Sequence, residues 1–164
     1  MRLSFLCAII LGLALTILPA TASNWLIVAV PQTSGKNGQI LNVSQSFHVV
    51  LSNTSLHDLK LWDEWSSKGY FNLSFEFKGK DGKVVSVAKN PDVFWFKHSP
   101  QEIVVHPGCA YSIDVDFSNA KEWLGVKNLT GKMTMRVIYK NTDKASSTPM
   151  APIQSDPIKV TIAR

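Results

Sequence analysis

From Phe47 onward, apolar and polar residues alternate one for one in run after run. In SFHVVLSN, Phe47, Val49 and Leu51 fall on one side, with His48, Val50 and Ser52 on the other. YFNLSFEF sets Phe71, Leu73, Phe75 and Phe77 against Tyr70, Asn72, Ser74 and Glu76. AYSIDVDF sets Tyr111, Ile113, Val115 and Phe117 against Ser112, Asp114 and Asp116, and MTMRVIY sets Met133, Met135, Val137 and Tyr139 against Thr134, Arg136 and Ile138. IKVTI ends the series with Ile158, Val160 and Ile162 against Lys159 and Thr161. Successive strand side chains point to opposite faces, so this period of two predicts strands with one buried face each. No segment after the N-terminal apolar run keeps a helical period, and Asn119–Leu124 alone reads as a short helical turn.

Turn chemistry separates the runs. Lys80-Asp81-Gly82-Lys83 predicts a tight hairpin into KVVSVAK, and His106-Pro107-Gly108-Cys109 predicts a type II turn. Pro91, Pro100, Pro149, Pro152 and Pro157 fall between strands or at a strand's start, where a missing N–H does little harm. Lys140 to Ser155, rich in Ser, Thr, Pro and Asn, is the longest expected loop. Seven to nine short strands spaced by turns predict an all-β, antiparallel β-sandwich, with a closed barrel as the weaker alternative. No repeat and no second domain is visible.

The N-terminus changes how the composition reads. Arg2, an apolar run from Leu3 to about Leu18, then Pro19 and Ala20-Thr21-Ala22 are the three parts of a secretory signal. An uncleaved anchor is the alternative, since the run is near the lower limit for a membrane span. The proline and the small residues favour cleavage, which predicts a leader over 1–22, one domain over 23–164 and a secreted or periplasmic location. No membrane span is expected after the signal is removed. The 45% hydrophobic content is inflated by that leader, and the net charge of +5 becomes +4 without Arg2. The remaining charge is spread out, with no run of Lys or Arg, so no nucleic-acid partner is expected. Cys7 leaves with the leader, and Cys109 stands alone, with no internal disulfide and an intermolecular one as its remaining option.

The succession FHVVLSNTS, YFNLSFEF, IVVHPGCAYSIDV and MTMRVIY resembles the strand order of immunoglobulin-like domains in exported bacterial proteins. That resemblance covers most of the chain after the leader; it implies the fold and transfers no active site. The paired inter-sheet cysteines of antibody-type domains are absent. A fainter likeness links the chain to small β-sandwich inhibitors of cysteine peptidases, whose Asn-Pro-Thr-Thr-Gly loop it lacks.

Candidate chemistry concentrates in LWDEWSSKGY. Trp62, Trp65 and Tyr70 offer flat faces for sugars, Asp63 and Glu64 offer acceptors for hydroxyls, and Trp95 could add a third ring. The competing expectation, and the favoured one, is that Trp62 and Trp65 share one side of a helical turn and cover the end of the core. Asp63 and Glu64 are adjacent, and neighbouring strand residues diverge, which argues against paired acid–base catalysis. His98, His106 and Cys109 are weak candidates for a metal, since a closed zinc site needs four ligands. No cofactor is expected. Asn42, Asn53, Asn72 and Asn128 each open an N-x-S/T sequon, and Asn72 is expected on the polar face of its strand.

Together these features predict an exported binding domain rather than an enzyme, with a protein or an envelope polymer as partner. A carbohydrate-binding module and an inhibitor of a secreted peptidase are the alternatives.

Overall fold

The computed structural model describes residues 25–30, 33–35, 38–91, 97–119, 121–140 and 152–164. The expected leader over 1–22, Trp95, and most of the long loop lie outside these residues. The described chain is all-β. Its strands are β1 (Trp25–Val30), β2 (Thr33–Gly35), β3 (Gly38–Asn42), β4 (Ser46–Asn53), β5 (Leu59–Trp62), β6 (Leu73–Gly79) and β7 (Val84–Lys89). They continue with β8 (Glu102–Val105), β9 (Ala110–Asp116), β10 (Trp123–Leu124), β11 (Lys132–Tyr139), β12 (Ile153–Gln154) and β13 (Ile158–Ala163).

Among the described residues there are thirteen strands rather than the expected seven to nine. The additional ones are short, such as β2, β10 and β12, or carry no alternation to read. β1 is WLIVAV, apolar throughout, so its period is invisible in the sequence. The expected helical turn at Asn119–Leu124 ends instead in β10, and a 3-10 turn follows at Val126–Asn128.

One sheet has the order β1-β4-β9 and the other the order β10-β7-β6-β11-β13-β3-β2, with β12 also paired to β11. A third pair, β5-β8, forms a two-stranded ribbon. Among the described residues all pairings are antiparallel except one: β13 runs parallel to β3, with Val160 opposite Gln39 and Ala163 opposite Asn42. The expectation of a wholly antiparallel fold is therefore corrected, and the large sheet is mixed. A parallel partner cannot come from a hairpin, so this pairing joins segments from opposite ends of the described chain.

The alternation read from the sequence sets what is buried. Phe47, Val49 and Leu51 of β4 are buried, as are Phe75 and Phe77 of β6, Ile113 and Val115 of β9, and Met133, Met135 and Val137 of β11. The two sheets meet through aromatic rings packed edge to face. The Phe75 ring lies 5.7 Å from Phe47, 5.3 Å from Phe117 and 5.6 Å from Trp123. Phe117 closes the set against Phe47 at 5.1 Å and Trp123 at 5.5 Å. Such geometry places the positive ring edge against the negative face, and each pair adds about 0.5–1.5 kcal/mol beyond burial.

The predicted type II turn forms. The Cys109 N–H donates to the His106 carbonyl at 3.0 Å, and Gly108 takes φ +73°. Asn53, at the end of β4, fastens that turn. Its buried amide donates to the carbonyls of His57 at 2.7 Å and Val105 at 2.8 Å, and its backbone bonds to Gly108 and Cys109. Asn72 is also fully buried, with its amide facing the Tyr139 hydroxyl. The expectation that it lies on a polar strand face is corrected: β6 begins one residue later, and Asn72 belongs to the turn before it. Asn53 and Asn72 therefore cannot carry glycans in the folded protein.

Asn53→Ala should lower stability by about 2–3 kcal/mol, because it strands the buried Val105 carbonyl, removes the donor to the His57 carbonyl and removes an acceptor. Urea unfolding measures this, and a change under 1 kcal/mol would show that the latch is dispensable.

Candidate functional site

The segment from Trp62 to Tyr70 folds into a rim loop held by its own side chains. Leu61 in β5 points into the core, so Trp62, the next residue, points away and is half-buried. The Asp63 carboxylate then accepts the Trp65 N–H at 2.7 Å, an Asx turn that ends the strand. The Ser66 hydroxyl donates to the Asp63 carbonyl at 2.8 Å, and Ser66 and Gly69 add backbone bonds across the loop. Gly69 is required by close approach: a Cβ there would meet the Asp63 carbonyl oxygen at 1.8 Å.

These constraints correct the expectation of a tryptophan lid. Trp65 is turned outward and is 58% exposed. Trp123 caps the aromatic core instead, packed on Phe75 and Phe117. Tyr70 is buried and stands beneath the rim rather than on it.

Beneath the loop is a lysine that the sequence did not single out. Lys89, at the end of β7, is directly across the ladder from Trp123 of β10. Its ammonium lies 4.5 Å from the Trp123 ring centroid, 4.8 Å from Tyr70 and 5.8 Å from Trp65, and it pairs with Glu122. The Lys89 side chain is only 7% exposed, so three ring faces and one carboxylate replace its hydration. A second lysine, Lys68, places its ammonium 4.2 Å from the Trp62 ring.

The loop crosses the side of the molecule where β9 edges one sheet and β10 the other. Tyr111 of β9 lies close to Glu64 there. Burial pushes the Glu64 carboxyl up to about 7; Lys89 opposes this, and Asp63, Asp114 and Glu122 add to it. Burial likewise raises the Tyr111 hydroxyl, and the Glu64 and Asp63 charges raise it further. Tyr139, whose hydroxyl reaches the Trp62 carbonyl at 3.4 Å, is raised by burial too.

Two of the other predicted residues have partners or exposure of their own. His106 pairs with Asp58 at 2.8 Å, and Cys109 is free and exposed. Among the described residues, no three His, Cys, Asp or Glu side chains gather as a metal-binding group, so His98, His106 and Cys109 do not converge.

No family model matches the sequence, and no curated protein matches it. Solved structures similar to the chain include a crystal structure of beta-glucosidase from Listeria innocua in complex with glucose, at 12% identity and a TM-score of 0.36. A mutant of beta-glucosidase from the same organism, in complex with laminaribiose, matches at 12% identity and a TM-score of 0.35. Each match covers 85% of this chain and 16% of the other, so the chain spans a small part of that enzyme's length.

Two variants test the site. Glu64 binds its proton more tightly when folded, so its contribution is full below about pH 4.5 and is lost as pH rises through about 7. Discounted for partial exposure, the loss should be about 1–2 kcal/mol. Glu64→Gln should flatten stability between pH 5 and 8 and exceed the parent protein at pH 8; an unchanged slope in urea titrations would assign the effect elsewhere. Gly69→Ala should unseat the loop, costing about 2 kcal/mol or more and changing tryptophan emission.

Proposed function

We propose that this chain is an exported, non-catalytic binding domain with an immunoglobulin-like β-sandwich fold, and that it grips its partner through the Trp62–Trp65 rim. The exposure of Trp65 on a braced loop carries this reading. A large apolar face held rigidly in solvent loses little conformational entropy on binding, which is why tryptophans recur at interface hot spots.

The fold reading is supported by strand order. Pairing of β4 with β9 in one sheet, and of β6 with β11 and β11 with β13 in the other, follows the B–E and C–F–G neighbours of immunoglobulin-type sandwiches. The parallel β3–β13 pair and the β5–β8 ribbon are additions to that plan. The charged, apolar and small-residue parts of the leader support export. Binding rather than catalysis is supported by the commitments of the nearby acids: Asp63 caps its own loop, and Glu122 neutralises Lys89.

The partner is a protein or an envelope polymer. The sugar-binding alternative gains one observation, the half-buried Glu64 carboxyl on the same loop as the outward Trp65 ring. The experiment is retention of the purified protein on envelope fractions and on a glycan panel, compared with Trp65→Ala. Trp65→Ala should lose about tenfold or more in affinity with its melting temperature nearly unchanged, and Trp65→Phe should keep part of the binding. Retention on glycans selects the polymer. Equal retention by the parent protein and Trp65→Ala, or none by either, overturns the reading.

A further inference from the structure

The lysines of this chain are scattered in sequence, but the ladder gathers five of them. On the outer face of the large sheet, Thr134 of β11 is directly opposite Lys78 of β6 on one side and Lys159 of β13 on the other. Directly opposed residues share a face, so Lys78 and Lys159 stand on either side of Thr134, their backbones two strand spacings or about 10 Å apart. Lys132, two residues along β11, is on the same face and opposite Thr161. Lys80 and Lys83, from the β6–β7 hairpin, extend the group beyond the sheet's end.

One cleft runs over this row, and a second adjoins it at the end of the sheet. One, of about 320 Å³, is lined by Lys78, Lys80, Lys132 and Lys159 together with the hydroxyl-bearing Thr134 and Thr161. The other, of about 490 Å³, shares Lys80 and Lys132 and adds Lys83 and Asp81. Among the described residues, Asp81 is the single acid lining either cleft, and its carboxylate accepts the Lys83 N–H at 3.0 Å inside the hairpin. All five lysines are exposed, and among the described residues none of them is ion-paired. Like charges on one face repel, and the acid described on the same face, Glu76, is directly opposite Arg136 rather than any of the five.

We infer that this lysine-lined cleft is a second binding site, distinct from the Trp62–Trp65 rim, and that its ligand is a linear acidic polysaccharide. Charge complementarity sets the sign of the ligand, and two joined clefts suit an extended chain rather than a single ion. Among the described residues, neither cleft is lined by an aromatic ring on which a base could stack, whereas their threonines offer partners for sugar hydroxyls. Lysine supplies charge without a fixed fork, which fits anionic groups spaced along a flexible polymer.

Heparin serves as the probe, with neutral dextran and a single-stranded oligodeoxynucleotide of similar charge beside it. Heparin should bind and dextran should not, with affinity falling steeply as salt screens the contacts. Lys132→Gln with Lys159→Gln should lose about tenfold or more in heparin affinity. Lys121→Gln with Lys127→Gln removes the same charge from exposed positions outside both clefts and should keep the parent affinity. Trp65→Ala should also keep it, which separates this site from the rim. Equal losses in the two lysine pairs would reduce the effect to net charge and overturn the site. No heparin binding, or equal binding of the oligodeoxynucleotide through the same lysines, would overturn the polysaccharide assignment.

Discussion

Two sheets without a disulfide between them must be held by what their inner faces exchange, and here that is a cluster of aromatic rings. Phe47 and Phe117 come from the β4–β9 side, and Phe75, Phe77 and Trp123 from the β6–β10 side. Edge-to-face packing fixes the separation and the mutual rotation of the sheets more narrowly than aliphatic contacts would. Everything at the rim is referred to this cluster. Trp123 packs on Phe75 and Phe117 and also holds Lys89, so core geometry and loop geometry share one side chain.

Lys89 is the second element of that economy. A buried ammonium is costly unless compensated, and here three rings and Glu122 compensate it. The same charge draws on Glu64, which is pulled one way by Lys89 and pushed the other by burial and three neighbouring acids. The loop is thus electrostatically coupled to both sheets, and its outward tryptophan is presented from a firm base.

Much of the fold was legible because alternation and one-sided burial coincide in β4, β6, β9, β11 and β13. Where both faces are apolar, as in β1, or the strand is two residues long, as in β10, the pattern has nothing to report. The orientation of Trp62 and Trp65 was illegible for a different reason. Their spacing fits a helical turn, but the Asp63 cap and the Gly69 contact decide the loop, and neither follows from hydrophobicity. Lys89 and the lysine row depend on cross-strand register, which brings together residues as far apart as 78 and 159. A sequence that shows dispersed charge can therefore fold into concentrated charge.

The parallel pairing of β13 with β3 also bears on how the molecule assembles. β13 lies between β11 and β3, so β3 and β2 reach the large sheet only through it. Segments made early must wait, unpaired on that side, for one made more than a hundred residues later. Loop closure over such a span slows the search, and the exposed edge of β11 is meanwhile open to wrong partners. The strand that completes the sheet is thus also its timing device: until residues 158–163 dock, the short β2–β3 pair has no place in the large sheet and the edge of β11 stays open.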